Sequence, residues 1–176
     1  MELGISGAVT SLLVLSALAI LWATRPRLNP RLQNSQTPPS ELEQLKQDLH
    51  ESELKTPNLV PGTEATIEFA DPSNPAKTEL VFMYVHGFSA SWRETAPVAE
   101  TLAKSFGANI LQCRLSGHGT GPEGMKCSAE DWLLSLDRQA QIAERLGEKI
   151  VVIAVSTGAP LSVWLATHSA IKEKLT

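Results

Sequence analysis

The chain opens on an unbroken apolar run. Residues Gly4 to Ala23 read GISGAVTSLLVLSALAILWA and carry no charge. About 20 apolar residues suffice to cross the hydrocarbon of a bilayer as a helix. Trp22 stands near one end, where aromatic rings favour the membrane interface. The run predicts a single-pass membrane anchor over residues 1–24. A cleaved signal peptide competes through the cleavage-like triplet Ala17-Leu18-Ala19. Such a peptide wants a positive leader, and only Glu2 precedes the apolar run. Arg25, Arg27 and Arg31 follow it, which by the positive-inside tendency places the rest of the chain on the cytoplasmic side.

Residues 25–59 read as a linker carrying one short helix. Pro26, Pro30, Pro38 and Pro39 interrupt any regular element in its first part. Ser40-Glu41-Leu42-Glu43 has the form of a capping box, and Leu42, Leu45 and Leu49 recur at helical spacing. An amphipathic helix over 40–54 is predicted, its leucines packing on the domain or the linker.

From residue 60 to 176 strands and helices alternate. Runs at 65–69, 79–85, 108–113 and 150–155 are apolar and strand-like. Segments 95–106, 128–146 and 158–174 have helical period. Val98, Leu102 and Phe106 form the apolar face of the first, Ser128 caps the second, and Pro160 fits the first turn of the third. This alternation predicts an α/β domain: a three-layer, mostly parallel sheet with helices on both faces.

Composition narrows the function classes. With 43% hydrophobic and 19% charged residues and a formal net charge of −4, the chain is that of a globular domain with accessories, not a nucleic-acid binder. Cys113 and Cys127 form neither a metal-ligand pattern nor a disulfide framework. No GxGxxG or GxxxxGK[ST] follows any strand, which argues against nucleotide binding. No metal or cofactor is expected.

Three segments carry candidate chemistry. The strand-like run Ile150–Ile153 leads into Ala154-Val155-Ser156-Thr157-Gly158. A serine between small residues at a strand-to-helix turn is the signature of a nucleophile elbow, where side chains two before and two after the serine crowd each other. Ala154 replaces the usual first glycine and adds one methyl. Ser156 is the candidate nucleophile for acyl transfer. His86-Gly87-Phe88 follows an earlier strand, and a loop there can offer backbone N–H groups to an oxyanion. Phe88 N–H and Thr157 N–H are the two candidate donors. Arg114-Leu115-Ser116-Gly117-His118-Gly119-Thr120-Gly121 is glycine-rich and follows the third strand. Gly117, His118 and Gly119 are expected to shape the site, with His118 bonded locally.

HGF at 86–88, RLSGHGTG at 114–121 and AVSTG at 154–158, in that order and with Asp131-Trp132 near a helix start, resemble the α/β-hydrolase superfamily. Among its members they look most like monoglyceride lipases, carboxylesterases and serine-aminopeptidase-like hydrolases. The resemblance covers about residues 60–176. It implies a Ser-His-Asp triad, a two-donor oxyanion hole and cofactor-free hydrolysis of an ester or amide. A small acyl ester or lipid-like molecule is the implied substrate.

The family's order is Ser, then Asp or Glu, then His. After Ser156 only His168 and Glu173 are available. Along a continuous helix His168 would lie roughly 15–18 Å from Ser156, whereas a base must approach to about 3 Å. Neither residue is expected to complete a triad. The chain therefore reads as the N-terminal part of a hydrolase domain, with its last strand left unpaired on one side, poor folding alone and no esterase turnover. A membrane-tethered interaction protein that keeps the fold without catalysis is the alternative.

Overall fold

The computed structural model describes residues 3–25 and 41–176. The proline-rich stretch, Arg27, Arg31 and the Ser40 cap lie outside the described residues. The elements are α1 (Leu3–Thr24), α2 (Leu42–Leu54), β1 (Thr66–Glu68), β2 (Thr78–Val85), α3 (Val98–Ser105), β3 (Asn109–Gln112), α4 (Ala129–Leu146), β4 (Gly147–Ala154) and α5 (Gly158–His168).

One four-stranded sheet runs in the order β1-β3-β2-β4. β2 is central because Val81 to Val85 is apolar without interruption, the pattern of a parallel strand buried on both faces. It pairs in parallel with β3 (Val81 opposite Asn109) and with β4 (Val81 opposite Ile150). β1 adds an antiparallel edge beside β3. Side chains alternate across the sheet and build two cores. Val81, Met83, Val85 and Leu111 face α2, α4 and α5. Phe82, Tyr84 and Ile110 face α3. Helices thus cover both faces, a mixed α/β architecture with a mostly parallel sheet.

Several details differ from the sequence pattern. α3 begins at Val98 rather than residue 95, and its buried residues are Ala99 and Ala103. Val98, Leu102 and Phe106, expected inward, are 54%, 39% and 62% exposed. The alanine stripe lies one residue around the helix from the larger apolar stripe. Its small side chains let α3 seat directly on Phe82 and Ile110. The helix expected over 158–174 stops at His168, where Ser169 leaves the helical region at ψ 152°. Ser169 is buried, its hydroxyl donating to Asp137 on α4. Beyond it a 3-10 turn, Lys172–Lys174, returns the chain to the sheet. There Leu175 bridges Ile150 in parallel, and Thr176 N–H donates to Ile150 O at 2.9 Å. The outer edge of β4 is thus paired at Ile150, where the sequence leaves it bare. α4 passes into β4 with no intervening residue.

At the N-terminus, α1 is helical, and its described apolar side chains, from Val9 to Trp22, are exposed. Among the described residues no helix is long and apolar enough to cross a membrane, so the expected spanning anchor finds no support here.

α2 falls in the stretch expected as linker and docks on the domain. Its cap is Glu41, which makes no side-chain capping bond. Leu45 and Leu49 enter the core, and Glu53 is buried at the helix end. Glu53 pairs with Arg114 through two bonds, Nε to Oε2 at 2.5 Å and Nη2 to Oε1 at 3.0 Å. Glu53 Oε2 also accepts the Ala65 N–H at 3.0 Å. Arg114 reaches on to Thr56 Oγ1 and to His118 O. The pair locks α2, the approach to β1 and the 114–121 loop together. Removing one partner of such a buried pair strands the other charge. Glu53→Ala is expected to lower stability by about 3–5 kcal/mol in urea unfolding monitored by circular dichroism.

Candidate active site

The strand-to-helix turn after β4 has an unusual backbone. Val155 N–H makes the last rung to Val85 O at 3.0 Å. Ser156 then adopts φ +47°, left-handed for a residue with a Cβ. Such a conformation costs about 1–3 kcal/mol and persists where surrounding bonds enforce it. Here Gly158 N–H donates to Val155 O at 2.8 Å and Ala159 N–H to Ser156 O at 3.0 Å, closing the turn into α5. Gly158 is required by proximity: a Cβ there would stand 2.5 Å from Val85 O and 2.8 Å from His86 O. The start of α5 therefore presses on the end of β2. Ser156 is lifted to the surface, and its hydroxyl has no hydrogen-bond partner among the described residues. Ala154, in place of the usual glycine, is half-buried against the main core.

The 86–88 turn faces this elbow. A Cβ on Gly87 would lie 3.2 Å from Ser156 Cβ. Both peptide planes around Gly87 are held. Gly87 N–H donates to Glu94 Oε1 at 2.6 Å. Gly87 O accepts from His86 Nδ1 at 2.9 Å and from Ala90 N–H at 3.3 Å. In a trans peptide the N–H opposes the carbonyl, so Phe88 N–H is directed away from the His86 ring. Among the described residues, neither Phe88 N–H nor Thr157 N–H has an acceptor. Two unbonded donors beside a lifted serine can stabilise negative charge on a carbonyl oxygen.

His86 is fully buried, and its second nitrogen, Nε2, accepts the Leu115 N–H at 3.1 Å. These bonds fix the tautomer with the proton on Nδ1. Burial, above all, pushes its pKa down to about 4. A neutral imidazole with both nitrogens engaged ties the 86–88 turn to the 114–121 loop and is no candidate base. His118 is also buried, with its pKa lowered chiefly by burial. Its Nδ1 bonds locally to Ser116 O at 3.2 Å. Its ring lies 4.7 Å from His86 and 5.6 Å from Trp132, with the edge of Phe88 against both His118 and Trp132. Gly117 and Gly119 hold left-handed φ values of +75° and +74° that let the loop fold back on itself.

The structure therefore brings Ser156, Thr157 and Gly158 together with His86, Gly87 and Phe88, and sets His118 behind Phe88. It does not bring His168 or Glu173 near them. His168 stacks on Trp164 at the exposed end of α5, and Glu173 is exposed in the following turn. No imidazole among the described residues hydrogen-bonds Ser156. A cavity of about 430 Å³ lies elsewhere, between α2 and α4, lined by Leu45, Glu53, Arg114 and Arg138. Cys113 is buried, which pushes its thiol pKa up, and Cys127 is half-buried; both are free thiols. Among the described residues no cluster of His, Cys, Asp or Glu is placed to hold a metal. Sequence reasoning missed Glu94. It lies in the polar stretch SASWRET, where no periodicity marks a contact.

No protein-family model matches the chain. Over 100 residues it is 31% identical to the thermostable monoacylglycerol lipase of Bacillus sp. (strain H-257), a match covering 56% of this chain and 40% of that protein. The fold is similar to a solved structure from work on LipS and LipT, two metagenome-derived lipolytic enzymes. That likeness has a TM-score of 0.53 at 26% identity and covers 61% of this chain and 41% of the other. The chain thus spans about two fifths of the length of these relatives. The relationship is with α/β-hydrolase-like lipases and esterases, at low identity and over part of their length.

The His86 environment has a measurable signature. The unfolded chain binds a proton on this imidazole below about pH 6.5, while the folded protein refuses it until about pH 4. Stability is expected to be full above pH 6.5 and to fall between pH 6.5 and 4, by on the order of 3 kcal/mol from this group. Urea midpoints measured across that range should show the decline, and His86→Gln should reduce it, leaving the share that His118 contributes in the same direction.

Proposed function

We propose that this chain carries the nucleophile of a serine hydrolase that cleaves carboxylic esters with apolar acyl groups. The observation that supports it is the placing of Ser156, in a left-handed turn against Gly87, beside the unbonded N–H groups of Phe88 and Thr157. The lipolytic relatives favour an ester over other acyl compounds. In this reading Ser156 Oγ bonds to the acyl carbon, the hydroxyl proton passes to a base, and the carbonyl oxygen takes up negative charge. The Phe88 and Thr157 N–H groups meet that charge, each worth about 3–4 kcal/mol in comparable sites. The alcohol then leaves, and water releases the acid. His86 and His118 hold the loops rather than move the proton.

A second reading is favoured by one specific observation. No described imidazole engages Ser156, so the fold could serve as a tethered interaction module without turnover. A fluorophosphonate probe separates the two, since the serine oxygen displaces fluoride from its phosphorus. Labelling of the folded protein that disappears in Ser156→Ala is the expected result. A folded protein that stays unlabelled supports the interaction module.

We further propose membrane attachment through α1, with the domain on the cytoplasmic side. The large apolar side chains described on α1, from Val9 to Trp22, are exposed, and none belongs to either core of the domain. Arg25 lies over Trp22 at 5.0 Å, placing a cation and an aromatic ring together where the helix ends. Deletion of residues 1–24 is expected to move the protein from the membrane pellet to the supernatant on fractionation. Recovery of the intact protein in the supernatant speaks against attachment.

A further inference from the structure

We propose that Glu94 is the positioning residue of the oxyanion turn, holding Gly87 so that Phe88 N–H faces the acyl oxygen. This rests on the reading of Ser156 as nucleophile. Glu94 ends a 3-10 turn, Trp92–Glu94, whose start is capped by the Ser91 hydroxyl. The two residues before Glu94 are anchored from outside the turn. Trp92 Nε1 donates to Glu64 O at 3.2 Å, and Arg93 Nε donates to Gly62 O at 2.6 Å. The Arg93 guanidinium also lies 4.8 Å over the Trp92 ring. The turn is thereby pinned to the 62–64 segment, and its last residue is delivered to a fixed place.

That place is the elbow. Glu94 Oε1 accepts the Gly87 N–H at 2.6 Å and the Tyr84 hydroxyl at 3.1 Å. Tyr84 is 1% exposed at the end of β2, and burial, above all, pushes its phenol up to about 12, so it remains a donor. The carboxylate is thus referenced to the rigid central strand on one side and to the turn on the other. A Cβ on Gly87 would lie 3.4 and 3.6 Å from the two Glu94 oxygens and 3.2 Å from Ser156 Cβ. Glu94 and the serine flank the same face of Gly87. His86 holds the carbonyl of Gly87, Glu94 holds its N–H, and the direction of the next N–H follows from both. Glu94 forms no ion pair among the described residues. Its carboxylate lies against Gly87, beside the site where an oxyanion would form. Charge strengthens its hydrogen bond to Gly87 but opposes the oxyanion. What the turn requires of Glu94 is the acceptor oxygen, not the negative charge.

This predicts an uncommon order of variants. Glu94→Gln keeps an acceptor oxygen and removes the charge, whereas Glu94→Ala removes both. Two measurements on the full chain test it. In amide hydrogen exchange, Gly87 should exchange about tenfold or more faster in Glu94→Ala, with the β2 amides unchanged and protection retained in Glu94→Gln. In fluorophosphonate labelling of Ser156 at a temperature where both proteins are folded, Glu94→Ala should react about tenfold or more slowly. Glu94→Gln should match or exceed the parent. Unchanged Gly87 exchange in Glu94→Ala overturns the proposal, as does a Glu94→Gln variant as slow as Glu94→Ala. Exchange that rises equally through β2 also overturns it, since Glu94 would then hold the fold at large. If no variant labels but Gly87 exchange responds as described, the positioning role stands and the nucleophile reading falls.

Discussion

One neutral imidazole holds the site together. His86 gives its Nδ1 proton to Gly87 O and takes the Leu115 N–H on Nε2. One bond directs the 86–88 turn, and the other ties it to the 114–121 loop. Both require the uncharged ring in a single tautomer. The fold secures that state by burying His86 completely and packing the tilted His118 ring against it. Desolvation, usually a cost for a polar side chain, here selects the protonation state that the geometry needs.

Support for this ring extends outward in tiers. His118 and Trp132 pack behind it, and Phe88 covers them. Arg114, at the start of the same loop, reaches His118 O and is neutralised by Glu53 at the end of α2. A helix lying before the first strand thus contributes to the geometry of a turn that follows the second. The elbow is supported separately, through the close approach of Gly158 to the end of β2. β2 is common to both halves. It ends in the turn that carries the candidate donors, and its last carbonyls receive the start of α5.

The fold was largely legible in the pattern of residues, because strands and helices differ in period and the strands are strongly apolar. Ser128 was readable as a helix cap and makes the full capping box with Asp131. Where a helix had two adjacent apolar stripes, periodicity could not choose between them. α3 turned on this point, since packing against Phe82 and Ile110 favoured alanines over larger residues. The end of α5 was not readable either, because the bond from Ser169 to Asp137 joins positions 32 apart. At the candidate site the small residues around Ser156 and Gly87 were informative, as steric crowding leaves a compositional trace. Glu94 and Glu53 left none. A carboxylate that accepts backbone N–H groups across space looks, in sequence, like any solvated glutamate.

The direct passage of α4 into β4 has a further consequence. With no loop between Leu146 and Gly147, the rotation of the helix and the register of the strand form a single degree of freedom. Gly147 lies so close to β2 that a Cβ would stand 2.6 Å from Val81 N, which leaves no slack at the junction. One residue added there would turn the helix by about 100° or exchange the two faces of the strand. The orientation of Ser156 at the far end of β4 is therefore phased, like a gear on a shaft, to the packing of Leu133, Leu136 and Ala140 on α4. The segment from Ser128 to Ser156 behaves as one indivisible mechanical piece.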